Sequence, residues 1–325
     1  MSAQTATTQR RDGRYGRCVP DHHGAKKRYL TSFEDSTRWD GFDFRPGDIV
    51  ISAPSKSGTT WTQMICALLI FRTAELPAPL TTLSPWMDVR IRPVEVVHAQ
   101  LAAQQHRRFI KTHTPLDGLP VREEVTYVAV GRDPRDVAVS LQHQSVNLDR
   151  ERISQLLGEP ASAQAKPAQG GESLDERQGF LRWMRKDASP LEDLDSLRGL
   201  AWQQSIAWDR RDEPNVVLLH YADLTAELEQ QMRGLAERLR ISVPETAWPE
   251  LVEAATFAAM RERAEDLVPD ERQGIMKDTG RFFRSGTSGQ WSRWLTTEDA
   301  TEYERLLNAV TTPDLAQWLH HGWNG

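Results

Sequence analysis

Lys56, Ser57, Gly58, Thr59 and Thr60 follow one another in the chain. Together they offer an ammonium, three hydroxyl donors and a glycine that lets main-chain N–H groups come close to a ligand oxygen. The β-branched run Ile49–Ser52 and Pro54 stand before them, which reads as a strand running into a turn. After them Trp61, Met64, Ile65, Leu68, Leu69 and Phe71 recur at helical spacing, so a helix with one apolar face is expected. A strand, turn and helix of this kind put free N–H groups and the positive end of a helix dipole at a strand tip, where an anion binds. The lysine precedes the single glycine, whereas an ATP-type cradle needs G-x-x-x-x-G-K-[ST], so ATP or GTP is not the expected ligand. Trp61 is placed to stack on a base. The plain alternative for the stretch alone is a strand-to-helix turn capped by a threonine.

Two further groups can join this chemistry if the fold brings them to the same edge. Arg108–Lys111 reads as a short strand, and Pro115 forces the chain out into a loop just after Thr112-His113-Thr114. Ligands of open α/β sheets bind beyond the carboxyl ends of the strands, so Lys111 and His113 are expected beside Lys56. Val125–Val130 reads as a third strand, followed by Gly131-Arg132-Asp133-Pro134, with Asp133 as N-cap and Pro134 at the first helical position. Arg132, just outside that helix, and Ser140, two turns in, can bracket a second phosphate. Taken alone, Arg132 paired with an acid and Ser140 as a small packing residue would be the better reading; beside the Lys56 loop it gives way.

The elements that must position these residues are legible as strands alternating with helices. Val94–Gln105, Leu200–Trp208, Leu224–Arg240 and Leu251–Arg263 read as helices, and Asn215–Tyr221 as a further buried strand. The expected fold class is α/β, a mostly parallel central sheet covered by helices. Residues 29–325 are expected to form one domain, preceded by a disordered tail over residues 1–28 and interrupted by a mobile loop over residues 158–175 that is poor in apolar residues. Phe33, Trp39, Phe42 and Phe44 either pack under the sheet or wall an acceptor pocket. The proline-rich stretch Leu76–Pro93, with Ser84-Pro85-Trp86, reads as loop. Arg281–Trp291 reads as a flexible basic loop that can close over an anion. Thr296–Asp299 reads as the cap of a last helix, and His320-His321 as an exposed tail.

Composition narrows the partners. A net charge of −6 over 325 residues gives no general attraction to nucleic acid or anionic membrane, so an anion site has to be made locally. Cys18 and Cys66 are the only cysteines, neither a disulfide framework nor a metal spacing, which suits a reducing compartment. No apolar run approaches the ~20 residues of a membrane span. Arg10-Arg11 lacks the apolar segment of a twin-arginine signal, and a cytoplasmic protein is expected.

Four separated blocks, in this order, resemble one family, the cytosolic-type sulfotransferases that use 3′-phosphoadenosine 5′-phosphosulfate (PAPS). Lys56–Trp61 resembles the loop that holds the 5′-phosphosulfate, and Lys111-Thr112-His113 the catalytic K-T-H. Arg132–Ser140 is similar to the element that holds the 3′-phosphate, and Phe282–Trp291 to the late R-K-G-x-x-G-D-W-K loop. Within the family, Gln104–Gly118 resembles bacterial glycolipid sulfotransferases of the actinobacterial, mycobacterial type.

The resemblance implies PAPS as co-substrate, 3′-phosphoadenosine 5′-phosphate (PAP) as product, no metal, and a small-molecule or glycolipid hydroxyl as acceptor. It implies catalytic roles for His113 as base, Lys56 at the leaving group, Lys111 at the transferring group and Ser140 as a restraint on Lys56. The nucleotide would be held by Lys56, Ser57, Gly58, Thr59, Thr60, Trp61, Arg132 and Ser140. Tyr221, Thr256 and Phe257 would stand on the adenine side, and Phe283, Arg284, Ser285 and Gly286 in the late loop. An unperturbed histidine pKa near ~6.5 would suit a base at neutral pH. Two departures stand out. Ser285 replaces the usual lysine, and the family's dimerisation motif is reduced to Thr296, with Ser292, Thr297 and Thr301 at its other positions, so the oligomeric state is not carried over. A P-loop kinase or NTPase, or a nucleotide-binding module without catalysis, is the competing expectation.

Overall fold

Four short strands run parallel in the order β2-β1-β3-β4: β1 (Ile49–Ser52), β2 (Phe109–Thr112), β3 (Thr126–Gly131) and β4 (Val216–His220). The computed structural model describes residues 26–159, 175–268 and 273–323. Nearly every strand residue is buried, as an apolar strand covered on both faces must be. Register places Ser52 opposite Thr112 and Ala129, and Gly131 opposite His220. The strands therefore end almost level, and the residues after them (Lys56, His113, Arg132 and Tyr221) leave the sheet at one edge. The strand order reverses at β1, which makes this edge the crevice where an α/β sheet binds ligands.

Helix α1 (Thr59–Phe71) follows β1 and is buried nearly all round, more deeply than a one-faced amphipathic helix would be. It lies in a core with β1, β3 and the short helices after β4, while Trp39, Phe42 and Phe44 pack with Val50 and Ile110 in a second core. Helix α2 (Pro134–Asn147) begins as expected: the Asp133 carboxylate accepts from Arg135 N–H, and Pro134 stands in the first turn. Helix α3 (Leu197–Asp209) crosses behind the strand ends. A buried ion pair, Arg108 with Asp48, ties the starts of β1 and β2, both side chains being 2% exposed.

Several sequence expectations need correction. Leu224–Arg240 is not one helix: Tyr221–Ala226 and Leu228–Arg238 are separated at Glu227, whose φ of −140° leaves the helical range. Leu251–Arg263 also breaks, because the Thr256 hydroxyl accepts from Ala259 N–H and starts a new helix as its N-cap. The stretch Leu76–Pro93 contains a helical turn, Leu80–Leu83. The helix capped by Thr296 and Asp299 is not the last; Pro313–His321 follows. In that helix His320 is not an exposed tail, since its Nε2 pairs with the Tyr303 hydroxyl at 2.9 Å. Residues 1–25 of the expected tail and 160–174 of the expected loop lie outside the described residues. Lys26, Lys27 and Arg28 are held by ion pairs with Asp40, Asp117 and Asp35.

Candidate active site

The loop between β1 and α1 is built on two left-handed residues, Lys56 at φ 65° and Gly58 at φ 105°. A Cβ on Gly58 would stand 3.2 Å from the Tyr221 ring and 3.7 Å from Val130, so glycine is set by packing as well as by φ. The turn leaves the first N–H groups of α1 facing a cavity of about 1090 Å³. Thr59, Thr60 and Trp61 line it. Ser57 Oγ and Thr59 Oγ1 are buried without hydrogen-bond partners, and so is Arg132 Nε. Unpaired buried donors of this kind are costly, and here they converge on one loop.

Arg132 follows β3, and its position rests on Gly131: a Cβ there would lie 2.3 Å from Trp318 of the C-terminal helix. The Arg132 guanidinium donates to the Lys56 carbonyl at 2.9 Å and lies 4.1 Å from the centre of the Tyr221 ring. Ser140 lines the cavity from α2. It does not hold Lys56 in this state, contrary to its expected restraint. The Lys56 ammonium instead donates to Gln144 Oε1 at 3.1 Å and sits 3.9 Å over the Phe282 ring. Gln144 lies one turn beyond Ser140 on the same helix. Burial, then Arg132 and Lys111, push the Lys56 pKa down to about 7.

His113 is 5% exposed and fixed on three sides. Its N–H donates to Asp88 Oδ2 at 2.9 Å, its carbonyl accepts from Gln203 of α3 at 3.0 Å, and its Nδ1 lies 2.5 Å from the Ala53 carbonyl. A carbonyl only accepts, so Nδ1 carries the proton and Nε2 keeps the lone pair. The expected ordinary pKa is corrected. Burial foremost, with the positive charge of Lys111 and Lys56, takes it down to about 3, so the ring is neutral throughout the physiological range. Lys111, 4% exposed, has its ammonium 3.5 Å over Trp86, whose ring also meets His113 edge-on at 4.9 Å.

On the far side of the loop Trp61 Nε1 donates to the Ala255 carbonyl at 2.8 Å, and its ring meets Tyr221 at 5.2 Å. Phe257, Phe283, Arg284, Ser285 and Gly286 line the cavity there. Gly286 has φ 63°, and a Cβ on it would be 2.6 Å from the Phe257 ring. The late loop is pinned to α2, Gly289 N–H donating to Asp136 and Asp278 N–H to Asn147. Thr256 and Ser57 are exceptions among the expected nucleotide residues: Thr256 spends its hydroxyl on the helix cap, Ser57 is 1% exposed, and neither lines the cavity. Gln144, Asp88, Gln203 and the Ala53 carbonyl escaped sequence reasoning. Only Gln144 carried a signal, four residues after Ser140 on the same helical face.

Residues 46–318 match the model of the sulfotransferase domain. The chain belongs to the sulfotransferase family. It is 43% identical over 310 residues to a glycolipid sulfotransferase of Mycobacterium bovis, covering 91% of this chain and 95% of that one. The glycolipid sulfotransferase of Mycobacterium tuberculosis is equally similar, 43% over 309 residues with the same coverage. The luciferin sulfotransferase of Photinus pyralis is 26% identical over 290 residues, 79% of this chain and 69% of its own.

Solved structures share the fold of this sulfotransferase. Retinol dehydratase in complex with androsterone and PAP superposes with a TM-score of 0.64 at 22% identity, over 84% of this chain and 83% of that one. A mouse sulfotransferase complexed with PAP gives 0.63 at 19% identity, over 86% and 90%. Among the described residues no helix is long and apolar enough to cross a membrane.

Proposed function

We propose that this sulfotransferase moves a sulfuryl group from PAPS to a hydroxyl of a small-molecule or glycolipid acceptor in the cytoplasm. The observation that carries the reading is the group of buried, unpaired donors, Ser57 Oγ, Thr59 Oγ1 and Arg132 Nε, around a loop whose lysine is destabilised as a cation. An oxyanion-rich ligand in the cavity would meet Thr59 and Arg132, which line it, and the charge of Lys56. The printed names of the mycobacterial relatives support a glycolipid acceptor, and the PAP named in the fold neighbours' titles supports the nucleotide.

When bound, PAPS would supply an activated sulfuryl group and a phosphate leaving group. The first turn of α1, with Ser57, Thr59 and Thr60, would hold the 5′ side, and Arg132 with Ser140 the 3′-phosphate. Trp61, Tyr221 and Phe257 would wall the adenine, and Phe283, Arg284, Ser285 and Gly286 would cover it. Lys56 would leave Gln144 and neutralise charge on the departing oxygen, while Lys111 would face the transferring group; such preorganised charge is the main source of rate in reactions of this kind. His113 Nε2, fixed as the lone-pair nitrogen, would accept the acceptor's proton. The cationic side chains supply the positive charge, so the reading calls for no metal.

Turnover of PAPS in the presence of a chelator, against ATP with magnesium, tests the proposal. Product from PAPS alone is the expected outcome. Nucleotide hydrolysis or transfer with ATP and magnesium, and none with PAPS, would overturn it.

A further inference from the structure

We infer that Trp318 and His220 are positioning residues of the nucleotide pocket: from behind the strand ends they set Arg132 and Tyr221, and so help select the 3′-phosphate. The inference rests on the nucleotide reading above and concerns residues that do not line the cavity. Trp318 belongs to the C-terminal helix Pro313–His321 and is 3% exposed, and His220 ends β4 and is 1% exposed. Gly131 ends β3 and stands opposite His220. Each strand end is followed at once by a residue of the pocket, Arg132 after Gly131 and Tyr221 after His220.

Arg132 depends on the main chain that carries it. Among the described residues its guanidinium is held by the Lys56 carbonyl at 2.9 Å and the Tyr221 ring at 4.1 Å, and its Nε is buried without a partner. The direction of the side chain therefore follows from where Gly131 and Tyr221 stand.

One ring sets both. The outer edge of the Trp318 indole fills the side-chain space of Gly131: a Cβ there would lie 2.3 Å from Cη2 and 2.5 Å from Cζ3. Gly131 has strand backbone, so the indole, not a left-handed φ, demands glycine. The same indole meets the His220 ring at 5.1 Å, edge to face. His220 Nδ1 accepts from Ala222 N–H at 3.2 Å, so Nε2 carries the proton and donates to the Leu319 carbonyl at 3.1 Å. His220 thereby caps the helix that begins at Tyr221 and ties it to the C-terminal helix.

Val130 is held separately, its carbonyl accepting from Gln204 of α3 at 3.0 Å. A displacement of Trp318 is thus taken up at Gly131 and Arg132 rather than along the strand. The Trp318 indole N–H is buried without a partner, a cost that a phenyl ring would avoid. What the larger ring supplies in return is reach to Gly131. Trp208 braces it, the rings 5.3 Å apart, and Trp208 Nε1 donates to Asp314 at 2.9 Å in the first turn of the same helix. Close-packed groups of this kind transmit a shift instead of absorbing it.

The test measures PAP and AMP affinity of the full chain by calorimetry, with Tm alongside. Trp318→Phe removes the outer edge of the indole and opens space behind Gly131, whereas Gly131→Ala drives a methyl into the intact indole. Each is expected to lower the ratio of PAP to AMP affinity about fivefold or more, a part of what the whole charge-assisted contact is worth. In the double variant the methyl takes the space the indole leaves, its next nearest atom being His220 Cδ2 at 3.0 Å. There the ratio is expected to return to within about twofold of wild type. Leu101→Ala, a cavity in the core around Trp39, should lower Tm and leave the ratio alone. If Gly131→Ala does not fold, Trp318→Phe decides the ratio, and recovery of folded protein in the double variant reports the contact. An unchanged ratio in Trp318→Phe, no recovery in the double variant, or an equal fall in Leu101→Ala would overturn the inference, while a wild type that prefers PAP leaves the nucleotide reading standing. A wild type that binds PAP no more tightly than AMP would overturn both.

Discussion

The Lys56 ammonium donates to Gln144 Oε1 at 3.1 Å, one helical turn beyond Ser140 on α2. The bond is to a neutral amide, so the lysine is held in place without a counter-charge. With Arg132 and Lys111 nearby and little water, its charged form is disfavoured until an anion arrives.

Nucleotide binding should therefore take up a proton. In the free protein Lys56 titrates at about 7. A bound anion favours the ammonium and raises that value, so affinity is full below pH 7 and falls as pH rises through and above it, by up to about tenfold per unit. The phosphates of PAP, with a second pKa near ~6, are already charged there and do not cause the fall. Calorimetry of PAP at pH 8 in two buffers of different ionisation enthalpy should show uptake approaching one proton per site. Zero uptake would mean Lys56 stays charged in the free protein. In Gln144→Ala the uptake at pH 7 should increase, whereas Ser140→Ala should leave it alone.

Arg132→Ala should act on nucleotide choice. A charge-assisted contact to the 3′-phosphate is worth roughly 1.5–3 kcal/mol, or ~10–150-fold in affinity. Because Arg132 also props the Lys56 carbonyl, AMP should lose some affinity too, but clearly less than PAP. Equal losses for the two ligands would reduce Arg132 to a support of the loop.

Gly58→Ala tests the loop's backbone. At φ 105° an L-residue is strained, by about 1–2 kcal/mol, and its Cβ would press on the Tyr221 ring at 3.2 Å. Lower thermal stability and at least about tenfold weaker PAP binding are expected. Wild-type affinity in this variant would show that the loop does not hold the nucleotide.

Asp48→Ala should be the costliest of these changes for the fold. It strands the Arg108 guanidinium, 2% exposed, where β1 and β2 begin. Removing one partner of a buried pair costs about 3–5 kcal/mol. Urea denaturation measures it, and a loss under about 1 kcal/mol would show that water reaches the arginine.

How much of this was legible in the sequence depended on whether a residue's role is local. The strand-turn-helix at Lys56 and the Asp133-Pro134 helix start are encoded by neighbours in the chain, and both stand where spacing put them. The level strand ends, which bring Lys56, His113 and Arg132 to one edge, follow from parallel pairing and were also foreseeable. Tertiary effects were not. The depressed pKa of His113 depends on burial and on two lysines from other segments, and its tautomer on the carbonyl of Ala53, sixty residues away. Thr256 read as a nucleotide residue but serves as a cap, because its hydroxyl competes for a local N–H.

The central claim, that His113 is the base in transfer of a sulfuryl group from PAPS, is tested most directly by labelled-PAPS turnover with a hydroxyl acceptor in wild type and His113→Ala, alongside PAP affinity. The account predicts a 10²–10⁴-fold loss of turnover with PAP affinity within about threefold, and no acid limb near pH 6.5 in the wild-type profile, because His113 titrates at about 3. Turnover within about threefold of wild type, or a loss of PAP binding as large as the loss of rate, would contradict it.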